Sequence, residues 1–112
     1  MNEAVPRSLE VYLTGDGRGP FSEWLDGLRD RGARARVRVR LDRLSLGNFG
    51  DCRSLGGALH ELRIDHGPGY RVYFGEAGNR IVLLLTGGTK GTQQSDIDQA
   101  RAYWADYRSR RS

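Results

Sequence analysis

The chain is short of several residue types, and each shortage excludes something. Of its 112 residues one is cysteine, Cys52, so no disulfide framework forms within the chain. Two are histidine, His60 and His66, and with a lone cysteine they make no metal-ligand cluster. No apolar run approaches transmembrane length. The opening residues carry no apolar signal core behind a basic tip. A cytoplasmic protein that avoids membranes is therefore expected. The nucleophile-elbow pattern GxSxG, the zinc pattern HExxH and the dinucleotide-binding glycine fingerprint are missing. No repeat, linker or low-complexity segment divides the chain, and its length fits a single domain over 1–112.

Lysine is nearly absent too. Lys90 is the one lysine beside seventeen arginines. It stands in "LLLTGGTKGTQQSDID", after an apolar run and among glycines. A Walker A loop needs glycine before the lysine, and Thr89 stands there instead. Glycines at this point let a backbone approach a ligand closely.

What the chain has in quantity is arginine. Net charge is +4. Residues 29–43, "RDRGARARVRVRLDR", hold seven arginines against Asp30 and Asp42. So dense a basic stretch suits a polyanion such as RNA, or an acidic protein partner. A solvated helix face is the plainer reading.

Periodicity sets out the elements. "SLEVYLT" (Ser8 to Thr14) reads as a first strand. Pro20 opens a helix whose apolar stripe is Phe21, Trp24, Leu25 and Leu28, ending at Gly32. A second helix runs from Ala33 to Leu46, with Val37, Leu41 and Leu44 as its apolar line and Arg36, Arg40 and Arg43 on another face. A one-glycine link predicts an antiparallel helical hairpin. "NFGDCRSLGGA" reads as a loop. "LHELRID" and "GYRVYFG" alternate and flank the turn "HGPG". "RIVLLLT" (Arg80 to Thr86) fits a strand buried on both faces. Ser95 and Asp98 have capping-box spacing at the start of a last helix. The order β-α-α-β-β-β-α predicts an α+β domain.

The alternating pair is the most informative feature. With Ile64 opposite Tyr70, Arg63 faces Arg71, Leu62 faces Val72, Glu61 faces Tyr73 and His60 faces Phe74. Leu62, Ile64, Tyr70, Val72 and Phe74 then share the core face. Glu61, Arg63, Arg71 and Tyr73 share the other. Two arginines directly opposite repel, by roughly 0.2–1 kcal/mol. Either Glu61 and Asp65 offset them, or the pair awaits a phosphate, which suits the guanidinium fork. Tyr73 beside them is a candidate stacking platform for a base. His60 lies on the core side near its margin, so a buried structural role is expected for it, whereas His66 lies in a turn and is expected to be solvated.

The stretches "FSEWLDGLRDRGARARVRVRLDRLSLGNFGD", "ELRIDHGPGYRVYF" and "LLLTGGTKGTQQSDIDQA" resemble the addiction-module killer proteins. These are a branch of the RelE/ParE superfamily of type II toxins, close to the HigB-like proteins. The resemblance spans about Val11 to Tyr107. It implies a small, mostly antiparallel sheet packed on an N-terminal helical hairpin, with a C-terminal helix. RelE-like members cleave mRNA in the ribosomal A site, whereas ParE-like members inhibit DNA gyrase. Both are neutralised by an antitoxin, in this branch usually a small helix-turn-helix DNA-binding protein.

Arg71 matches the phosphate-binding catalytic arginine of RelE-like nucleases, and Lys90 lies near a second catalytic basic position. The C-terminal catalytic tyrosine of RelE has no match; Gln93, Gln94 and Asp96 stand there. The histidines of some HigB nucleases are missing after "GGTK". The resulting expectation is a ribosome-dependent, metal-free mRNA endonuclease without a cofactor. Arg71, Arg63, Lys90 and Glu61 are its candidate catalytic residues, with Lys90 or Glu61 moving protons. Tyr73, Arg36, Arg40 and Arg43 are its candidate RNA contacts. Its partners are the antitoxin, the ribosome and mRNA, with DNA reached only through the antitoxin. The alternatives are a ParE-like gyrase inhibitor, or an inactive domain that only binds its antitoxin.

Overall fold

The computed structural model describes residues 5–111. Residues 1–4, the first part of the stretch expected to lack a signal core, lie outside them. The elements are β1 (Ser8–Val11), α1 (Pro20–Asp26), α2 (Arg31–Ser45), β2 (Cys52–Gly56), β3 (Leu59–Ile64), β4 (Tyr70–Ala77), β5 (Ile81–Thr89), a 3₁₀ turn (Lys90–Thr92) and α3 (Gln93–Arg111). The strands form one five-stranded sheet in the order β1-β5-β4-β3-β2. β2 to β5 are an antiparallel meander, and β1 joins β5 in parallel. The fold is α+β with a mixed sheet.

Helices cover both faces of the sheet. Phe21, Val37, Leu41 and Leu44 from α1 and α2 pack on Leu62, Ile64, Val72 and Phe74. Ile97, Ala100 and Trp104 from α3 pack on Leu59, Tyr73, Leu83 and Leu85 on the opposite face. The apolar run in β5 is thus buried on both sides, as its composition predicts. The β3–β4 register is the expected one, from His60 opposite Phe74 to Ile64 opposite Tyr70.

Several expected boundaries move, each for a local reason. β1 ends at Val11, although Tyr12 still donates its amide to the Leu84 carbonyl, 3.0 Å away. α1 stops at Gly27, whose amide closes the last turn onto the Glu23 carbonyl. Gly32 therefore belongs to α2. Asp30 caps that helix, its Oδ1 accepting from the amides of Gly32 and Ala33 at 2.9 and 3.2 Å. With only seven residues, α1 packs chiefly on β5 while α2 packs on β3, so the two do not form a self-contained hairpin.

"NFGDCRSLGGA" is not all loop, because its second half forms β2 and pairs with β3. Gly57 and Ala58 connect these strands with φ of +62° and +65°. Such a two-residue turn needs positive φ at both positions. "GGT" belongs to β5 rather than to a loop. The last helix starts earlier than expected. Thr89 and Thr92 cap the 3₁₀ turn reciprocally, and Ser95 instead donates to the Thr92 carbonyl at 3.1 Å.

The glycines of β5 serve the protein's own packing. A Cβ on Gly87 would lie 2.3 Å from the Trp24 ring, and one on Gly88 would collide with the Asp96 carboxylate. Gly75 on β4 lies likewise under Trp104, whose ring would stand 2.4 Å from an added Cβ. Neither tryptophan can withdraw without opening the core around it.

Gly87→Ala is expected to lower stability by about 1–3 kcal/mol through overpacking. A urea titration checks this, the midpoint falling while the slope stays constant. A second expectation concerns Asp30, which joins α2 to the β3–β4 turn through His66 Nε2, 3.1 Å from Oδ2. The Ala33 amide, and then His66, hold its carboxyl below the ordinary carboxylate range. A depressed folded-state value gives stability that is present above the unfolded-state value and lost as pH falls through the folded one. Asp30→Asn keeps a cap but removes this titration, so the acid limb of its stability–pH curve should be shallower than that of the parent.

Candidate functional site

The centre of the site is a carboxylate without solvent exposure. Glu61 sits in mid β3 on the face covered by α3, and it is fully buried. Its Oε2 accepts from the Tyr73 hydroxyl at 3.2 Å and from Gln93 Nε2 at 2.9 Å. Around Oε1 stand three guanidinium groups. Arg53 and Arg63 lie 3.5 Å away, and Arg71 lies 3.6 Å away. These distances make ion pairs but not good hydrogen bonds. Glu61 Oε1 and the Nε atoms of Arg63 and Arg71 are buried and lack a hydrogen-bond partner.

Local sequence explains the assembly. Strand alternation puts Glu61 and Arg63 on one face, and antiparallel pairing puts Tyr73 and Arg71 directly opposite them. Arg53 comes from β2 in register with Glu61. Gln93 comes from the first residue of α3. A bulge between β4 and β5 lets both Leu85 and Thr86 follow Leu84 before the next pair, opposite Tyr73. This resets the alternation, so Gly88 falls under α3 and Gly87 under α1.

The electrostatics follow from this burial. One carboxylate is shared by three arginines, so the cluster keeps an excess of positive charge. Arg71 is nearly enclosed, its side chain 12% exposed, whereas Arg53 and Arg63 reach solvent. Burial, and then the Glu61 carboxylate, push the Tyr73 phenol well above its ordinary value. Tyr73 therefore remains a protonated donor.

Two of the expected roles are overturned by burial. Tyr73 is fully enclosed beneath α3 and offers no ring to a base. Glu61 is closed off in the same way, so it is an anchor for guanidinium groups rather than a proton acceptor for an outside hydroxyl. It does offset the Arg63–Arg71 pair, one of the two readings of that contact; Asp65 takes no part in any ion pair among the described residues.

Lys90 lies close in register but stands apart in contact. Arg71 pairs with Gly88 and Tyr70 with Thr89, so Lys90 leaves the sheet two residues past the partner of Arg71. Its amide donates to the Gly69 carbonyl at 2.8 Å. Its side chain is exposed and makes no ion pair among the described residues.

The α2 arginines do not join this cluster, because α2 covers the other face of the sheet. Arg36 and Arg43 are exposed. Arg40 is committed to structure, donating to the carbonyls of Arg63 at 2.5 Å and Phe49 at 3.1 Å. It is withdrawn as an RNA contact. His60 is structural, as expected, whereas His66 is half-buried against Asp30 rather than free in solvent. His60 Nε2 pairs with Glu76 at 2.9 Å and its ring stacks on Phe74. Contrary to the loop reading, Arg53 belongs to the cluster, and so does Gln93. Arg53 was hidden by that reading, although "GGA" before an alternating strand is a hairpin signal. Nothing in the local sequence marks Gln93 as a partner of Glu61.

Among the described residues, no group of three or more His, Cys, Asp or Glu is placed to hold a metal ion. Among the same residues, no helix is long and apolar enough to cross a membrane.

No protein-family model matches the chain. It is 47% identical over 81 residues to an uncharacterized protein of Haemophilus influenzae, a match covering 72% of this chain and 82% of that protein. The chain belongs to the same family as that protein.

Two substitutions rank the forces at the site. Glu61→Gln should cost roughly 2–3 kcal/mol, below the full value of a broken buried pair because Arg53 and Arg63 reach water. Tyr73→Phe should cost about 1 kcal/mol, the loss of one hydrogen bond. Chemical denaturation of both variants checks the order; a larger loss for Tyr73→Phe would mean the carboxylate does not organise the cluster.

Proposed function

We propose that the chain is the toxin of a type II toxin–antitoxin module with a RelE/ParE-like fold, and that it cleaves mRNA on the ribosome. The observation that carries this is the Arg63–Arg71 pair. Two arginines lie in register on one face of the sheet, with orphaned Nε donors, around a single shared carboxylate. Excess cationic charge of fixed geometry suits a phosphodiester. Strand exit brings the exposed Lys90 out beside the same pair of strands.

In this reading the 2′-hydroxyl of the mRNA attacks the adjacent phosphorus. The 5′-oxygen of the next nucleotide leaves, and a 2′,3′-cyclic phosphate forms. Arg71 and Arg63 neutralise the charge that builds on the phosphoryl oxygens. Lys90 is the candidate for proton transfer, since an ammonium gives up its proton more readily than a guanidinium does. Glu61 keeps Arg71 and Arg63 in place. The partners in this scheme are the ribosome, its mRNA and a helix-turn-helix antitoxin, with DNA bound only through the antitoxin.

One observation favours a second reading. Glu61 and Tyr73 are enclosed, and Asp96 at the start of α3 accepts from Thr92 at 2.5 Å, so each of these groups is already engaged. A site rich in fixed cations and poor in free bases also suits binding without cleavage, as in a ParE-like gyrase inhibitor.

The test is expression of the protein with and without substitutions, followed by mapping of mRNA 5′ ends in translating ribosomes. Arg71→Ala should reduce cleavage about a hundredfold, the usual loss when a charge-stabilising donor is removed. Lys90→Ala should reduce it while leaving the fold untouched, since Lys90 is exposed. Intact mRNA together with inhibited DNA supercoiling would assign the second reading instead.

A further inference from the structure

One cavity of the fold lies away from the arginine cluster. It is an open groove of about 400 Å³ between α2 and the end of β3. Its floor is aliphatic, formed by Ala35, Val39 and Ile64. Val39 is a large apolar side chain on a helix whose exposed side is rich in arginine, and it is 49% exposed. Arg36, Val39 and Arg43 fall at i, i+3 and i+7, so the valine stands between two guanidinium groups on one helix face. Arg40 also lines the groove, with its guanidinium turned to backbone carbonyls. Asp65 marks the β3 end, an acid outnumbered three to one by arginines.

The charge around this groove is uncompensated. Arg36 and Arg43, which line it, form no ion pair among the described residues. A face with an apolar centre and a charged rim has the anatomy of a protein contact, where a central anchor is desolvated and the rim steers. Nucleic acid is the other polyanion to consider. Single-stranded nucleic acid is held by aromatic stacking as well as charge, and no aromatic side chain lines the groove.

We propose that this groove docks an acidic peptide segment of a partner protein. The segment presents one branched aliphatic side chain to Val39, with carboxylates on either side for Arg36 and Arg43. The site is separate from the arginine cluster, because α2 and α3 lie on opposite faces of the sheet. Its test involves no ribosome and no mRNA, so it stands or falls apart from the nuclease reading.

The experiment pans a phage-displayed library of random peptides against the immobilised full chain, then measures selected peptides by fluorescence anisotropy. Peptides with a Leu, Ile or Val flanked by Asp or Glu should be enriched. Their affinity should fall at least about tenfold for Val39→Asp, the loss typical of a central anchor. It should fall similarly for the pair Arg36→Ser and Arg43→Ser, with a weaker dependence on salt. All three residues are exposed, and circular dichroism establishes that the variants fold. Poly-uridine RNA should not displace the peptides. Enrichment without the acidic–aliphatic pattern would overturn the proposal, as would undiminished binding to Val39→Asp. Displacement by poly-uridine, with RNA binding indifferent to Val39→Asp, would assign the face to nucleic acid.

Discussion

Burial of one carboxylate holds one end of this molecule together. Glu61 joins Arg53 of β2, Arg63 of its own strand, Arg71 and Tyr73 of β4, and Gln93 of α3. Removing such a charge from water is costly, and the cost is offset only when partners surround it. The partners come from four elements, so the carboxylate is satisfied only when all of them are in register. A sheet edge, a hairpin and a helix start are therefore fixed by one requirement. The same requirement places three cations within reach of one another, which no isolated strand could do.

The legible part of this arrangement is the part governed by alternation. Period two along two strands joined by a short turn gives the β3–β4 register, and with it the adjacency of Arg63 and Arg71. The core lines of α2 and α3 follow in the same way from helical spacing. Alternation does not tell which face a later helix will cover. Tyr73 and Glu61 look like surface residues until α3 closes over them, and that contact spans twenty to forty residues of sequence. β2 escapes notice because a five-residue strand with a cysteine and a terminal glycine has little pattern of its own. "GGT" misleads for a related reason. A glycine that admits a ligand and a glycine that admits a tryptophan look identical in one dimension.

The two basic regions of the chain differ in physical character. Around Glu61 the guanidinium groups are held by a buried counter-charge and by strand geometry, so their positions are defined before anything binds. Along α2 the arginines are long side chains with no carboxylate partner among the described residues, and Arg40 ties the helix to the end of β3 and to the loop before β2. Preorganised charge favours a specific small geometry, such as one phosphate, whereas mobile charge favours steering and broad contact. The excess of positive charge thus divides into two populations, one on each face of the sheet.

The paired glycines and tryptophans carry a consequence for how such a chain varies. Trp24 sits over Gly87 from one face, and Trp104 sits over Gly75 from the other. Each indole occupies the space that a single methyl group would need. Neither member of a pair is free to change alone. A larger residue on the strand demands a smaller one on the helix, and a smaller ring leaves a hollow that only a side chain on the strand could fill. Each couple should be inherited as a unit, with substitutions arriving together or not at all.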